Sequence, residues 1–208
     1  MEASLDADLR VLGTATAAVA EQFLSTTKEV ASGSSPGVAI PLLLLAVSDL
    51  VTAGARLGAI TDVVPAHRFE PDDGPEVDSE PLRVSLANVL EGLDAYSEVI
   101  DPLISADTGT ARLSDDLADI ATALSTGLQH HRAGHPDEAL WWWQFSYLSV
   151  WGERATSATR VLISLIAHLR LDVDDEVAAD AEFHALHATP GEVAADGRPA
   201  RGTPASGD

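Results

Sequence analysis

The chain has no cysteine, a single methionine, and aromatic residues at only 5%. The missing thiols exclude disulfides, thiolate metal sites and cysteine nucleophiles. Basic residues are scarce as well: 12 Lys and Arg stand against 33 Asp and Glu, a formal net charge of −21. Nucleic-acid binding needs clustered cations that displace counterions from phosphates, so no direct nucleic-acid contact is expected. The opening MEASLDAD lacks the basic and apolar stretches of a secretory signal. Long apolar runs are missing too, since the longest, Val38 to Val47, holds ten residues against about 20 for a bilayer span. A cytoplasmic protein without membrane contact is expected. HExxH, Glu-x-x-His and Gly-rich phosphate loops are absent as well, and the GSSPG of residues 33–37 reads as the loop that ends the first helix. That leaves no complete catalytic set and no cofactor signature, and the expectation leans away from an enzyme.

What is present is helical periodicity. The acidic charge is concentrated: residues 61–80 carry seven acids against one Arg, and residues 172–208 carry nine against two. The rest of the chain is only moderately acidic. Leu5, Leu9, Leu12, Thr16, Val19, Phe23, Thr26 and Val30 step by fours and threes, the spacing of one helix face. Residues 39–60 are apolar nearly all round, as a central buried helix would be. Residues 61–80 then form an acidic crossing loop broken by Pro65, Pro71 and Pro75. A third helix is expected from about Pro81 to Asp101, through Leu86, Val89, Leu93, Tyr96 and Ile100. A fourth follows over 114–133, with the stripe Leu117, Ile120, Leu124 and Leu128. Gly134-His135-Pro136 supplies a stop and a restart, the grammar of an αα-hairpin. The last helix covers 137–170, with Gly152 able to kink or split it. The fold expected is therefore all-α, a bundle of about five helices over residues 3–171 with a C-terminal αα-hairpin. An acidic, largely disordered tail over 172–208 completes the chain.

All four tryptophans lie in ALWWWQFSYLSVW: Trp141, Trp142, Trp143 and Trp151. At 100° per residue, Leu140, Trp141, Tyr147, Leu148, Trp151, Ala155, Ala158 and Leu162 share a core face. Glu138, Trp142, Ser146, Ser149, Glu153, Ser157 and Arg160 share a polar one, and Trp143 falls between. Trp141 and Trp151 thus read as core anchors. Trp142 is an indole on a polar face, to be covered by the 61–80 loop, by a partner chain or by a stacked small molecule. Gln144 falls in the core stripe, where a buried amide must find hydrogen-bond partners.

Asp115 and Asp119 form an i,i+4 pair able in principle to share a hard cation, which makes them weak metal candidates. The plainer reading has Ser114 cap the helix while the acids favour its positive end. Arg154 and Arg160 are positioned to pair with Asp115 or Asp119 across the hairpin. Tyr96, Glu98 and Asp101 in DAYSEVIDP make a polar-aromatic patch near a helix end, and Glu98 lies off the apolar stripe, so solvent exposure explains it.

Three blocks, DAYSEVIDP (94–102), RLSDDLADIATALSTGL (112–128) and DEALWWWQFSYLSVWGERATSATRVL (137–162), with HRFEP (67–71), resemble a bacterial family known as domain of unknown function 5063. The resemblance spans about residues 5–171. It implies an all-helical domain with no assigned activity, and motif positions at Asp115, Asp116, Asp119, Trp142, Phe145, Trp151 and Gly152.

Two functions fit these features. In the first, a non-enzymatic module binds a protein partner or a second copy of itself through Trp142, Glu138, Ser149, Glu153, Asp115, Asp119 and Gln144. In the second, a small molecule or divalent metal sits between the helices at 114–133 and 137–170, lined by Asp115, Asp119, Gln144 and Trp142.

Overall fold

The computed structural model describes residues 2–65, 77–100, 103–104 and 106–171, with side chains from residue 7 onward. The chain divides into two units, Met1–His168 and Leu169–Asp208, and the architecture below is that of the first. Helix α1 (Glu2–Ala31) buries Thr16, Phe23, Thr26 and Val30, the face its spacing sets. A short 3-10 turn at Pro36–Val38 leads into α2 (Ala39–Ala59). By length and composition alone the stretch 36–59 is apolar enough to span a membrane, its most apolar 18 residues having a mean hydropathy of 2.0, well beyond the ten-residue run. Here Leu43, Val47, Leu50 and Leu57 of α2 are fully buried in the shared core, the packing of a central bundle helix.

The third helix is shorter than its periodicity predicts. Helix α3 (Glu80–Val89) ends before Gly92, whose φ of 83° suits only glycine. The chain then forms an antiparallel hairpin, β1 (Ala95–Val99) with β2 (Thr108–Arg112), in which Ala95 faces Arg112 and Val99 faces Thr108. Tyr96 and Glu98 alternate inward, whereas Ile100, expected on a helix stripe, is exposed. The aromatic Tyr96 and the β-branched Val99, placed after Gly92, suit this strand over the helix that Leu93 and Ile100 suggest.

Helix α4 (Leu113–Arg132) follows directly, with Leu117, Ile120, Leu124 and Leu128 buried as expected. Its start is not capped by Ser114. Asp94, 20 residues upstream, accepts from the Ser114 N–H and the Ser114 hydroxyl, both at 2.8 Å. The Leu113 N–H adds a bond to the Asp94 carbonyl at 2.9 Å. One carboxylate thereby ties the hairpin base to the helix start, satisfying donors that a helix terminus leaves free.

After Gly134 (φ 86°) the chain reverses into α5 (Pro136–Ser146). A π-helical segment, Tyr147–Trp151, separates it from α6 (Gly152–Leu171). The break falls where Gly152 allowed it, because a Cβ there would come within 2.5 Å of the Tyr147 carbonyl oxygen. Among the described residues the fold is mostly helical, with one two-stranded sheet. The acidic tail over 172–208, the HRFEP block and most of the crossing loop lie outside the described residues.

Candidate functional site

The π-segment changes which tryptophans reach the core. A π turn holds more residues than an α turn, so one phase count cannot serve both sides of it. Counting through it fits α6, where Ala155, Ala158 and Leu162 are buried, and slips in α5. Trp143, expected at the border, is fully buried, and so is Trp151. Trp141, expected as an anchor, is half-buried and stacks on Phe145 with ring centres 5.3 Å apart. Leu148 was likewise expected inside and is 65% exposed.

Helix α4 seats the two inner indoles. Trp142 Nε1–H donates to the Ala123 carbonyl at 2.8 Å, and Trp143 Nε1–H to the Leu124 carbonyl at 3.3 Å. A Cβ on Gly127 would lie 2.1 Å from Trp143 Nε1, so this close approach requires glycine. Trp142 is thus half-covered by α4 of its own chain, and its polar atom is already satisfied.

At the other end of α4, Asp116 is 2% exposed and carries a polar network. The Tyr96 hydroxyl donates to its Oδ2 at 2.5 Å, and Arg154 Nη1 donates to its Oδ1 at 2.9 Å. Arg154 Nη2 also meets Asp119 Oδ2 at 3.2 Å, so the pairing expected across the hairpin forms with Asp119 and extends to Asp116. Arg160 instead donates to the Ser97 carbonyl at 3.4 Å. Burial pushes the Asp116 carboxyl above its ordinary range, although the bonds from Tyr96 and Arg154 pull the other way. Burial, the bond to Asp116 and the charges of Asp116 and Glu98 hold the Tyr96 proton on well past its usual range. For Arg154, burial disfavours the charge, and the carboxylates of Asp116, Asp119 and Glu98 more than offset it.

Asp115 and Asp119 share a face as the i,i+4 spacing requires, and the cation between them is Arg83. Its Nε lies 3.6 Å from Asp115 Oδ1, and its Nη2 lies 3.6 Å from Asp119 Oδ1. The pair therefore faces guanidinium groups, and among the described residues no three His, Asp or Glu side chains converge as a metal site needs.

The remaining candidates scatter. Gln144 is buried and ties down the end of α2, its amide donating to the Leu57 carbonyl at 3.0 Å and accepting from the Val63 N–H at 2.8 Å. That role was legible from its place in the core stripe, yet it separates Gln144 from Asp115 and Asp119. Glu138 lies 3.3 Å from His130 Nδ1, bridging α4 and α5. The pocket expected between α4 and the last helix, lined by Asp115, Asp119, Gln144 and Trp142, does not assemble.

A cleft exists elsewhere, between the hairpin and the last helix. A cavity of about 700 Å³ runs between β1 and the start of α6, with Glu98, Glu153, Ser157 and Tyr147 in its wall. A second, of about 540 Å³, adjoins it and is lined in part by Ile100, Thr110, Ser149 and Val150. Both contain Glu98 and Glu153. The Ser157 hydroxyl donates to Glu98, which fastens the hairpin to α6. Of the expected surface residues, Ser149 and Glu153 are brought together here. By helical phase Glu98 falls to solvent and Tyr96 to an apolar stripe; the aromatic Tyr96 and the β-branched Val99 after Gly92 are the available strand signal.

Such a molecule is a helical bundle carrying a β-hairpin clamped by a buried carboxylate, with a cleft beneath it. The chain belongs to the family described as "Domain of unknown function (DUF5063)", whose model matches residues 9–168. Among solved structures it is similar to protein BF1032 from Bacteroides fragilis. The TM-score is 0.58 at 20% identity, covering 72% of this chain and 89% of that one. At that identity the likeness concerns the fold alone. No match is found among curated proteins.

Proposed function

We propose that the domain is a non-enzymatic interaction module, and that its contact surface is the aliphatic patch shared by the hairpin tip and the π-segment. One observation carries this reading. Val99, Ile100 and Ile104 at the tip, with Leu148 and Val150 across the cleft, are all exposed, Ile104 at 83%. Val99 and Leu148 border one cavity, while Ile100 and Val150 border the other, so the two sets adjoin. Contiguous exposed apolar surface of this kind marks contact sites.

The network beneath the patch supports the same reading. An isolated two-stranded hairpin is marginal in water. Tyr96, Glu98 and the Ser97 carbonyl hold this one to Asp116, Ser157 and Arg160. Preorganisation lowers the entropy lost on binding. Trp142, with its N–H donated inside the chain, contributes at most a flank.

In its simplest form the occupant is a second copy of the chain. The acidic charge opposes that pairing and salt screens it, so association strengthens as salt rises. Sedimentation velocity at low and high salt tests this, with Ile100→Asp/Ile104→Asp as the disrupted variant. The wild type should form a dimer that the variant lacks, at unchanged helicity by circular dichroism. A wild type that stays monomeric at every concentration and salt overturns self-association.

A further inference from the structure

We infer that the outer edge of β2 is a strand-pairing site at which a second copy of the chain adds its own β2, a contact that rests on the self-association proposed above and gives it a geometry. In an antiparallel pair, residues that exchange N–H and C=O bonds with the opposite strand alternate with residues that turn both groups away. Just beyond the two ends of the hairpin register, the Ile100 N–H donates to the Asp107 carbonyl and the Leu113 N–H to the Asp94 carbonyl, each at 2.9 Å. Alternation between these fixed points gives Tyr96, Glu98, Gly109 and Ala111 the bonds inside the hairpin. Ala95, Ser97 and Val99 of β1, and Thr108, Thr110 and Arg112 of β2, therefore turn their backbone groups outward.

The two edges differ. On β1 the Ser97 carbonyl already accepts from Arg160 of α6 at 3.4 Å. On β2, among the described residues, no bond reaches the outward groups of Thr108 or Thr110, or their hydroxyls. A cavity of about 540 Å³ borders Gly109, Thr110 and Ala111, so space lies beside this strand. An unpaired edge is a template for another strand, and natural edges are blunted by lysine, proline or a bulge. The TGTAR sequence of β2, in unbroken register with β1, has none of these.

Charge and symmetry select the occupant. The chain holds 33 acids, yet the exposed outer face of the hairpin, formed by Ala95, Ser97, Val99, Thr108, Thr110 and Arg112, includes none. Two copies can bring this edge together without setting carboxylate against carboxylate. The outward groups of β2 are also self-complementary about Thr110. In an antiparallel pairing centred there, Thr110 exchanges both bonds with Thr110 of the second copy, and the Arg112 N–H meets the second Thr108 carbonyl. Such a contact is isologous and closes at two chains. Ile100 and Val150 border the same cavity as Thr110, so the paired edge is continuous with the aliphatic patch, which adds the apolar area a short strand lacks.

Because the native chain has no cysteine, disulfide trapping tests the register directly. Thr110→Cys places two thiols at the centre of symmetry, with Cα atoms about 5.5 Å apart, inside the range a disulfide spans. Thr108→Cys places them on opposite sides of that centre, about 14 Å apart along the strands and out of reach. On mild oxidation of the full chain, Thr110→Cys should become a disulfide dimer and Thr108→Cys should not. Thr110→Pro removes the outward N–H without removing a bond inside the hairpin, and should lose the dimer in sedimentation at unchanged helicity. Thr110→Val keeps that N–H and should dimerise as the wild type does. Should Thr110→Pro lose helicity, the trapping result alone decides. A wild type that dimerises while Thr110→Cys crosslinks no better than Thr108→Cys overturns edge pairing and leaves self-association standing. A wild type that stays monomeric overturns both.

Discussion

The two ends of α4 are held to the helices that follow it, α5 and α6, by opposite means. Toward its C-terminal half, α4 receives two indoles, with Gly127 leaving space for one of them. Toward its N-terminus it is joined through a buried carboxylate, a tyrosine and an arginine. The first seam depends on shape, since close-packed interiors register the loss of a few methylenes. The second depends on charge state and on every partner being present. One helix therefore has a half held by shape and a half held by charge, and each can be broken separately.

The largest effect should come from the aromatic seam. Trp143→Ala removes a fully buried indole and should cost about 3–5 kcal/mol in chemical denaturation. Next comes the charged seam. Arg154→Ala leaves Asp116 buried without its cation and should cost about 2 kcal/mol at neutral pH, less than a fully enclosed pair because Arg154 is partly exposed.

Its pH dependence has a definite sign. Folding raises the Asp116 pKa above its ordinary 3.8, so folding favours the protonated carboxyl. The stabilising contribution is full below 3.8 and is lost as pH rises through the raised value. Removing Arg154 takes away a group that favours the charged form, which raises that value further. The gap between Arg154→Ala and wild type should therefore narrow as the solution is acidified toward 3.8, in melting curves at several pH values. A gap that widens on acidification would contradict this account. The smallest effect belongs to Trp141→Ala: half-buried, this indole should cost about 1 kcal/mol, clearly less than Trp143. Equal losses from the two would mean that the aromatic seam has been assigned to the wrong ring.

Much of the bundle was legible in the sequence. The stripes of α1 and α4 stand where their spacing put them, and so does the turn at Gly134. Gln144 also found the backbone partners that a buried amide requires. The misreadings share a physical cause, a local change of period. Leu93 and Ile100 continue a helical stripe on paper, but Gly92 and the strand-forming residues after it convert the segment to a strand. Trp141 and Trp143 exchange roles because the count crossed a π-segment as though it were α-helix. The cleft was not legible for a different reason. Its walls come from the hairpin and from the far end of the chain, and no spacing rule links Glu98 to Glu153.

Consider finally what the π-segment means for insertions and deletions. Each residue turns an α-helix by about 100°. Deleting one residue between Tyr147 and Trp151 would let α5 and α6 merge into an unbroken rod. Because a π turn holds about one residue more than the α turn it replaces, that deletion would leave α6 near its present phase. A second deletion would swing everything downstream by that angle, carrying Arg154 off Asp116 and Glu153 out of the cleft. Exposed Ser149 and Val150 can change identity at little expense, but the length of their segment can change only by the one residue that the π turn absorbs. In this stretch the number of residues matters more than their nature, as with the teeth of a gear.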